Sequence, residues 1–403
     1  MKNIPILLLL ILCIQCHNNS QLSTKQKVED FEYLYKILDE NYPFFGTAKR
    51  TLNIDWLSNK EKYLERIKAT PNDSAYFMTL TSIVNELKCP HLGIWPTLSH
   101  KQMLDVYKRA TIEQPKFAKW VDVLEKSEKQ SPYWQDIWKN SIKEIEYDDQ
   151  TIQSVSYSDF VLDKDKIAIM RIKSFSYDNL ANDSILITYF LKNIQNYNHL
   201  IIDIQDNFGG SSNYWKKYIV GKLSDSLIIF QRNQIIKDGN LNKHFYPDFF
   251  EKGVIATKQN TSFQNTPDEI LDNSFYIYSH TDTITPNNPF SFNGEIYVLV
   301  NNNIVSASDD FAYFCKISRW ATVVGIRTMG EGNCGEPTLF RLPDSGIVFK
   351  HPSVAGLNED GSLNFETQTT PGIEINASNS NERLEKLINY IKNIERIKNG
   401  NEI

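Results

Sequence analysis

The chain has 403 residues, 41% hydrophobic and 12% aromatic, which is enough to bury a full core and excludes an intrinsically disordered protein. Its 43 basic and 49 acidic residues leave a net charge of −6 with no long basic run, which argues against electrostatic binding of nucleic acid. Beyond residue 16 the apolar stretches are strand-sized, so no second membrane span is expected.

The N-terminus reads as an export signal. Met1 and Lys2 give the positive end, Ile4 to Ile14 the apolar run, and the polar stretch from His17 to Gln21 follows Cys16. A cysteine closing such a run resembles a bacterial lipobox. The resemblance implies a lipoprotein signal peptide over 1–16, lipid attachment at Cys16 and a membrane-anchored location in the cell envelope. Gln15 stands where such sites usually carry a small residue, and Cys13 is a competing position. A plain cleaved signal and an uncleaved anchor are the alternatives. Cys89, Cys315 and Cys334 remain in the mature body; three cysteines without a CxxC spacing suggest neither a disulfide framework nor a zinc site.

From Thr24 to Leu87 the pattern is helical. Val28, Phe31, Leu34 and Leu38 recur at spacings of three and four, as do Phe77, Leu80, Ile83, Val84 and Leu87. Pro43 ends the first helix, Asp73 or Ser74 caps a later one, and Pro90 stops it. A short strand from Leu92 to Trp95 closes a helical subdomain over 24–96. The charged, aromatic stretch that follows is expected to be a helical connector or lid over 97–154.

The period changes at about residue 155. Two strands carrying Val161, Ile167, Ile169 and Ile172 flank the turn Asp163-Lys164-Asp165, followed by a helix from Asn182 to Asn196 and a buried strand from Leu200 to Ile204. After a glycine turn and a helix from Asn213 to Leu223, a polar and less regular segment runs to Asn293. It reads as a long loop or insertion, 213–293. A strand from Ile296 to Val300, a helix from Ser308 to Ile317, a strand from Ala321 to Val324 and a last helix from Asn381 to Lys398 complete the chain. Strands followed by helices over 155–398 predict an α/β body with at least part of its sheet parallel.

Three segments could hold chemistry. In Ile201-Ile202-Asp203-Ile204-Gln205-Asp206-Asn207-Phe208-Gly209-Gly210 a buried strand runs into paired glycines, a turn able to aim N–H groups at an oxyanion, or simply a tight turn. It lacks the spacing of a nucleotide loop. In Val298-Leu299-Val300-Asn301-Asn302-Asn303-Ile304-Val305-Ser306-Ala307-Ser308-Asp309 a strand leads through a turn into a helix. Ser306 there sits where free N–H groups and the helix dipole can support a nucleophile, unless Ser306 or Ser308 is an ordinary N-cap. Glu86-Leu87-Lys88-Cys89-Pro90-His91 places a histidine just after a helix stop, as a general base or as a structural residue. The other histidines lack paired spacing, so no metal is expected.

Taken in order, the His91 turn, LIIDIQDNFGG, IYVLVNNNIVSASDDF, VVGIRTMGEG and NFETQTTPGIEI resemble the C-terminal-processing (tail-specific) serine peptidases and their tricorn-core relatives. The resemblance covers most of residues 28–376. It implies a crotonase-like or ClpP-like α/β core preceded by a helical subdomain, with Ser306 as nucleophile, His91 as general base and Glu366 as the acid. It also implies oxyanion donors at Ala307 and at Gly209 or Gly210, peptide or unfolded protein as substrate, and no cofactor.

Several positions depart from the family pattern. Glu331 occupies the place of the lysine that activates the serine in the processing branch, so a Ser-Lys dyad is not expected. Pro90 replaces the second serine of the tricorn-like branch, so Glu366 would reach His91 directly, through a water, or poorly. Gln205 and Phe208 replace the arginine and first glycine of the turn motif, and no PDZ domain is evident. The other functional classes open to such a chain are a binding lipoprotein that has lost turnover and a crotonase-type acyl-coenzyme enzyme; the export signal weighs against the second.

Overall fold

The computed structural model describes residues 21–400 apart from 95–99, 143–155, 260, 262 and 399. The signal sequence with Cys16 therefore lies outside the described residues, as do Trp95 and Pro96.

The centre is a six-stranded sheet in the order Ile373–Glu374, Thr322–Gly325, Glu295–Val300, His199–Asp203, Ile167–Ile172, Tyr157–Leu162. Every neighbouring pair is parallel except the last, where the Asp163–Asp165 turn makes an antiparallel hairpin. Alternate residues of these strands enter two separate cores. Ile167, Ile169, Ile201, Tyr297, Leu299 and Val324 pack under Leu384, Leu387 and Ile391 of the terminal helix Ser380–Lys398. On the opposite face Ala168, Met170, Leu200, Ile202, Val298 and Val300 pack against the helices Leu180–Asn193 and Ala307–Ser318 and the helical run from Ser212 to Leu223. Covering both faces is why these strands read as unbroken apolar runs rather than as alternating ones.

The N-terminal helices share a core with Ile235, Phe275, Phe340 and Phe349 of the antiparallel sheets. Phe31, Leu34, Leu38, Trp56, Tyr63, Phe77 and Leu80 are fully or almost fully buried in it. Ser23 closes a capping box on the helix Thr24–Asn41, and Asn72, one residue before the expected cap, accepts from Ala75 N at the head of Asp73–Asn85. Asp30 adds a buried polar contact to this packing: its carboxylate accepts from the amides of Asp344 (2.8 Å) and Ser345 (2.9 Å).

The stretch after residue 100 is helical, as its composition suggests, over His100–Glu113, Ala118–Ser127 and Ser131–Ile142. Trp120 is fully buried and donates to Pro337 O (2.8 Å), while Trp134 joins the N-terminal core and donates to Ser345 O (2.8 Å).

The segment read as a loop contains long strands instead. Ile228–Lys237, Asp272–Ile284 and Val254–Thr257, with Val354–Leu357 at the far edge, make a four-stranded antiparallel sheet. Only one face of this sheet is apolar, and Ile235-Ile236 breaks the alternation, so the period-2 signal is weak in sequence. A third sheet pairs Gly93–Ile94 with Val348–His351, and that strand with Thr338–Arg341.

Candidate active site

Two turns leave the carboxyl ends of the adjacent central strands His199–Asp203 and Glu295–Val300, the usual place for a site in such a sheet. Asp206 ties them together. Its carboxylate accepts from Asn301 Nδ2 (2.7 Å), Asn303 Nδ2 (2.9 Å), Ser380 Oγ (2.9 Å) and Lys173 Nζ (3.1 Å). Burial alone would raise its pKa, but these donors outweigh burial and hold it well below the ordinary carboxylate range. A depressed folded pKa contributes stability that is complete above the unfolded value near 4 and is lost as pH falls below it. Unfolding midpoints measured from pH 6 down to pH 2 should therefore fall more steeply for wild type than for Asp206→Asn; parallel curves would show that the knot carries no linkage.

The second turn ends at Ser306, which has φ 61° and ψ −130°, a left-handed conformation that costs a non-glycine residue about 1–3 kcal/mol. Ser306 is at the N-cap position of Ala307–Ser318, yet its hydroxyl makes no capping bond. The knitting is done by Ser308: its Oγ accepts from Val305 N (3.1 Å) and lies 2.5 Å from Asn207 O. Of the two serines, Ser308 is thus structural, and Ser306 is held in a strained elbow with its hydroxyl uncommitted to the helix.

Gly209 packs directly on this elbow. A Cβ there would lie 2.9 Å from Ser306 Cβ and 3.1 Å from Ala307 N, and φ is +93°, so only glycine fits. Its own N–H is engaged by Asn207 Oδ1 (2.9 Å). Phe175 N donates to Gly209 O and Ser211 N donates to Phe175 O, which directs the N–H of Gly210 away from that segment. Ala307 is the first helical residue, whose N–H has no partner within the helix. The turn therefore offers the amides of Gly210 and Ala307 as donors, while that of Gly209 is spent on shaping it. Phe208, beside them, is 68% exposed.

His91 comes from the N-terminal region and is buried, with Nδ1 2.6 Å from Glu331 Oε2. The two atoms meet at ion-pair distance without the alignment of a full hydrogen bond. The other oxygen of Glu331 accepts from Cys89 Sγ (3.1 Å). Burial, and then the Glu331 charge, push the Cys89 thiol well up, so it stays protonated and can donate. The segments of His91 and Glu331 both lead into the same three-stranded sheet: Gly93, two residues after His91, pairs with Lys350, and Thr338–Arg341 follows the Glu331 loop.

The acid at His91 is therefore not the one the family pattern suggests. Glu366 is turned to the N-terminal helix Phe45–Leu52, where it accepts from Arg50 Nη2 (2.7 Å), Arg50 Nε (2.9 Å) and Thr47 Oγ1 (3.2 Å). Glu331 is visible in the sequence as the residue standing in place of a lysine, but its partner is set by the fold.

The loop carrying Glu331 is bound to the helix Ala307–Ser318. Asp309 Oδ2 accepts from Gly332 N (2.7 Å) and Oδ1 from Thr328 Oγ1 (2.5 Å). Full burial pushes the Asp309 carboxyl up to about 6, leaving it mostly ionised at neutral pH. One covalent step and one hydrogen bond thus separate the residue that holds His91 from the helix that begins behind Ser306.

Ser306, Ala307, Gly209 and Gly210 line a cleft of about 770 Å³. Met103, Tyr107 and Phe117 of the helical stretch after residue 100 form one wall, with Phe208 also lining the cleft. Its volume suits a ligand of several residues rather than one side chain.

No curated protein matches the chain. Among solved structures it is similar to mature CPAF (TM-score 0.60, 13% identity, covering 94% of this chain and 99% of that one) and to mature CPAF complexed with lactacystin (TM-score 0.57, 14% identity, 94% and 99%). It is also similar to a peptidase candidate from Parabacteroides merdae (TM-score 0.56, 19% identity, 93% and 97%). At these identities the likeness is one of fold. The model of peptidase family S41 matches residues 166–375, slightly more than half of the chain and the whole span from the central parallel strands through the Ser306 elbow to Glu366. The chain belongs to peptidase family S41 and is a serine peptidase whose substrates are peptides or proteins.

Proposed function

We propose that the protein hydrolyses peptide bonds through an acyl-enzyme on Ser306, with His91 as general base, Glu331 as the acid that orients it, and the amides of Gly210 and Ala307 as the oxyanion hole. The observation that carries this reading is the Ser306 elbow, strained, uncapped and backed by Gly209. His91 takes the hydroxyl proton as Ser306 Oγ attacks the carbonyl. The two amides receive the negative charge that develops on its oxygen. His91 then gives the proton to the leaving amine, and a water activated by the same imidazole releases the acid product. Cys89 keeps the Glu331 carboxylate turned to the ring, a task for which Pro90 has no hydroxyl.

The test is digestion of a mixed peptide library by the body from about residue 20, read by mass spectrometry. Cuts that vanish in Ser306→Ala and in His91→Ala support the reading. Binding of peptides without cuts by wild type would favour a peptidase-like binding protein instead.

The mature protein is further proposed to sit in the cell envelope, held by a lipid on Cys16. Support comes from the apolar run that Cys16 closes; among the described residues, no helix is long and apolar enough to cross a membrane. Labelling of cells with a palmitate analogue should mark the wild type and not Cys16→Ala, and equal labelling of both would sink the anchor.

A further inference from the structure

The four-stranded sheet, three of whose strands come from the inserted segment, reaches the candidate active site through one buried side chain. Arg232, on the strand Ile228–Lys237, is 6% exposed. Its Nη1 donates to Asp310 Oδ1 (2.6 Å) and to Asn333 Oδ1 (2.9 Å), its Nη2 to Asp310 Oδ2 (3.1 Å), and its Nε to Asp282 Oδ2 (2.8 Å).

Two of these partners, Asp310 and Asn333, belong to segments of the proposed site, and the third, Asp282, lies on the sheet that carries Arg232. Asp310 is in the first turn of the helix behind Ser306, and its own N–H donates to Ser306 O (2.8 Å). Its Oδ2 also accepts from Ser212 Oγ (3.3 Å), at the start of the helix that follows the Gly209-Gly210 turn. Asn333 lies two residues after Glu331; its N–H donates to Asp310 Oδ1 (3.1 Å), and its side-chain amide donates to Asn233 O (3.0 Å) beside Arg232. Asp282, on the neighbouring strand, is shared with Lys216 Nζ (2.6 Å). Two acids and two bases thus balance in charge, so the buried guanidinium adds geometry without leaving an uncompensated field at the site.

We propose that Arg232 is a positioning residue: it clamps the nucleophile helix, the start of the helix after the oxyanion turn, and the loop of Glu331 into one arrangement, so that the inserted sheet is part of the catalytic scaffold. This rests on the assignment of Ser306 and Glu331 made above. A guanidinium suits the task because its planar fork bonds two oxygens of Asp310 while a third N–H reaches Asp282; an ammonium offers no such fixed fork.

The test compares wild type with Arg232→Met, Arg232→Lys and Asp282→Asn. In Arg232→Met, kcat on a cleaved peptide should fall on the order of 10–100-fold, as expected of misplacement by about 1 Å, with KM nearly unchanged. Arg232→Lys should restore part of kcat, and Asp282→Asn, which leaves the Asp310 and Asn333 contacts in place, most of it. Hydrogen exchange reads the clamp independently of turnover. Amides of 307–312 and 330–335 should exchange faster in Arg232→Met, while those of 199–203 and 295–300 stay protected. Unchanged exchange in both segments would overturn the clamp whatever the activity, as would a loss of kcat that disappears once each variant is assayed equally far below its melting temperature. A wild type that cuts no peptide but shows the exchange pattern would keep the clamp and sink the catalytic reading.

Discussion

Replacing Ser306 by alanine is expected to lower kcat by on the order of 10⁴–10⁶-fold, because nucleophilic attack and the acyl-enzyme both require its Oγ. The fold should survive, since the hydroxyl makes no capping bond and Ser308 carries the contacts that hold the elbow. Alanine keeps the Cβ that makes φ 61° costly. Ser306→Gly removes that cost and should melt higher than Ser306→Ala, by about 1 kcal/mol in stability, while being equally inactive. Thermal denaturation of the two variants beside a peptide assay checks both statements. A serine variant with wild-type turnover would refute the mechanism, and a glycine variant no more stable than alanine would show that the elbow stores no strain.

The second large effect separates two glutamates. Glu331→Gln should reduce kcat by on the order of 10²–10⁴-fold, because an amide at 2.6 Å from Nδ1 neither stabilises an imidazolium nor fixes the ring as a carboxylate does. Glu366→Gln should leave kcat close to wild type. It weakens a partly exposed fork to Arg50, a contact worth about 1 kcal/mol or less of stability. Measuring kcat, KM and melting temperature for both variants decides the matter. If Glu366→Gln were the inactive one, the acid assigned by family resemblance would stand and the pairing of Glu331 with His91 would be incidental.

The same pair of residues marks how far the sequence reaches. Ser306, His91 and the glycine turn stand out as candidates from local pattern, a strand, a turn and a helix around Ser306, a helix stop before His91 and paired glycines after a strand, but their proposed roles come from the order of these segments, which resembles a known family. Four of the six central strands, Ile167–Ile172, His199–Asp203, Glu295–Val300 and Thr322–Gly325, are legible because burial on both faces writes apolar runs into the chain; the edge strand Tyr157–Leu162 is found through its hairpin turn, and the two-residue strand Ile373–Glu374 is too short to leave a pattern. Local pattern fails where one face is polar. The strands Ile228–Lys237 and Asp272–Ile284 carry exposed and half-exposed residues along much of their length, and the segment reads as a loop.

Spacing along the chain places a carboxylate in the right neighbourhood but does not choose its partner. Glu366 is drawn away by Arg50 and Thr47, which lie more than 300 residues earlier, whereas Glu331 is brought to His91 because Gly93–Ile94 and Thr338–Arg341 both pair with Val348–His351. The sequence by itself determined the α/β core, written in short-range pattern, and its resemblance to a known family singled out Ser306 and His91 as candidates. Only the tertiary structure set Glu331 beside His91, engaged the Gly209 amide with Asn207 and buried Arg232 against Asp310 and Asn333, because each depends on contacts that the fold, and not the spacing along the chain, brings together.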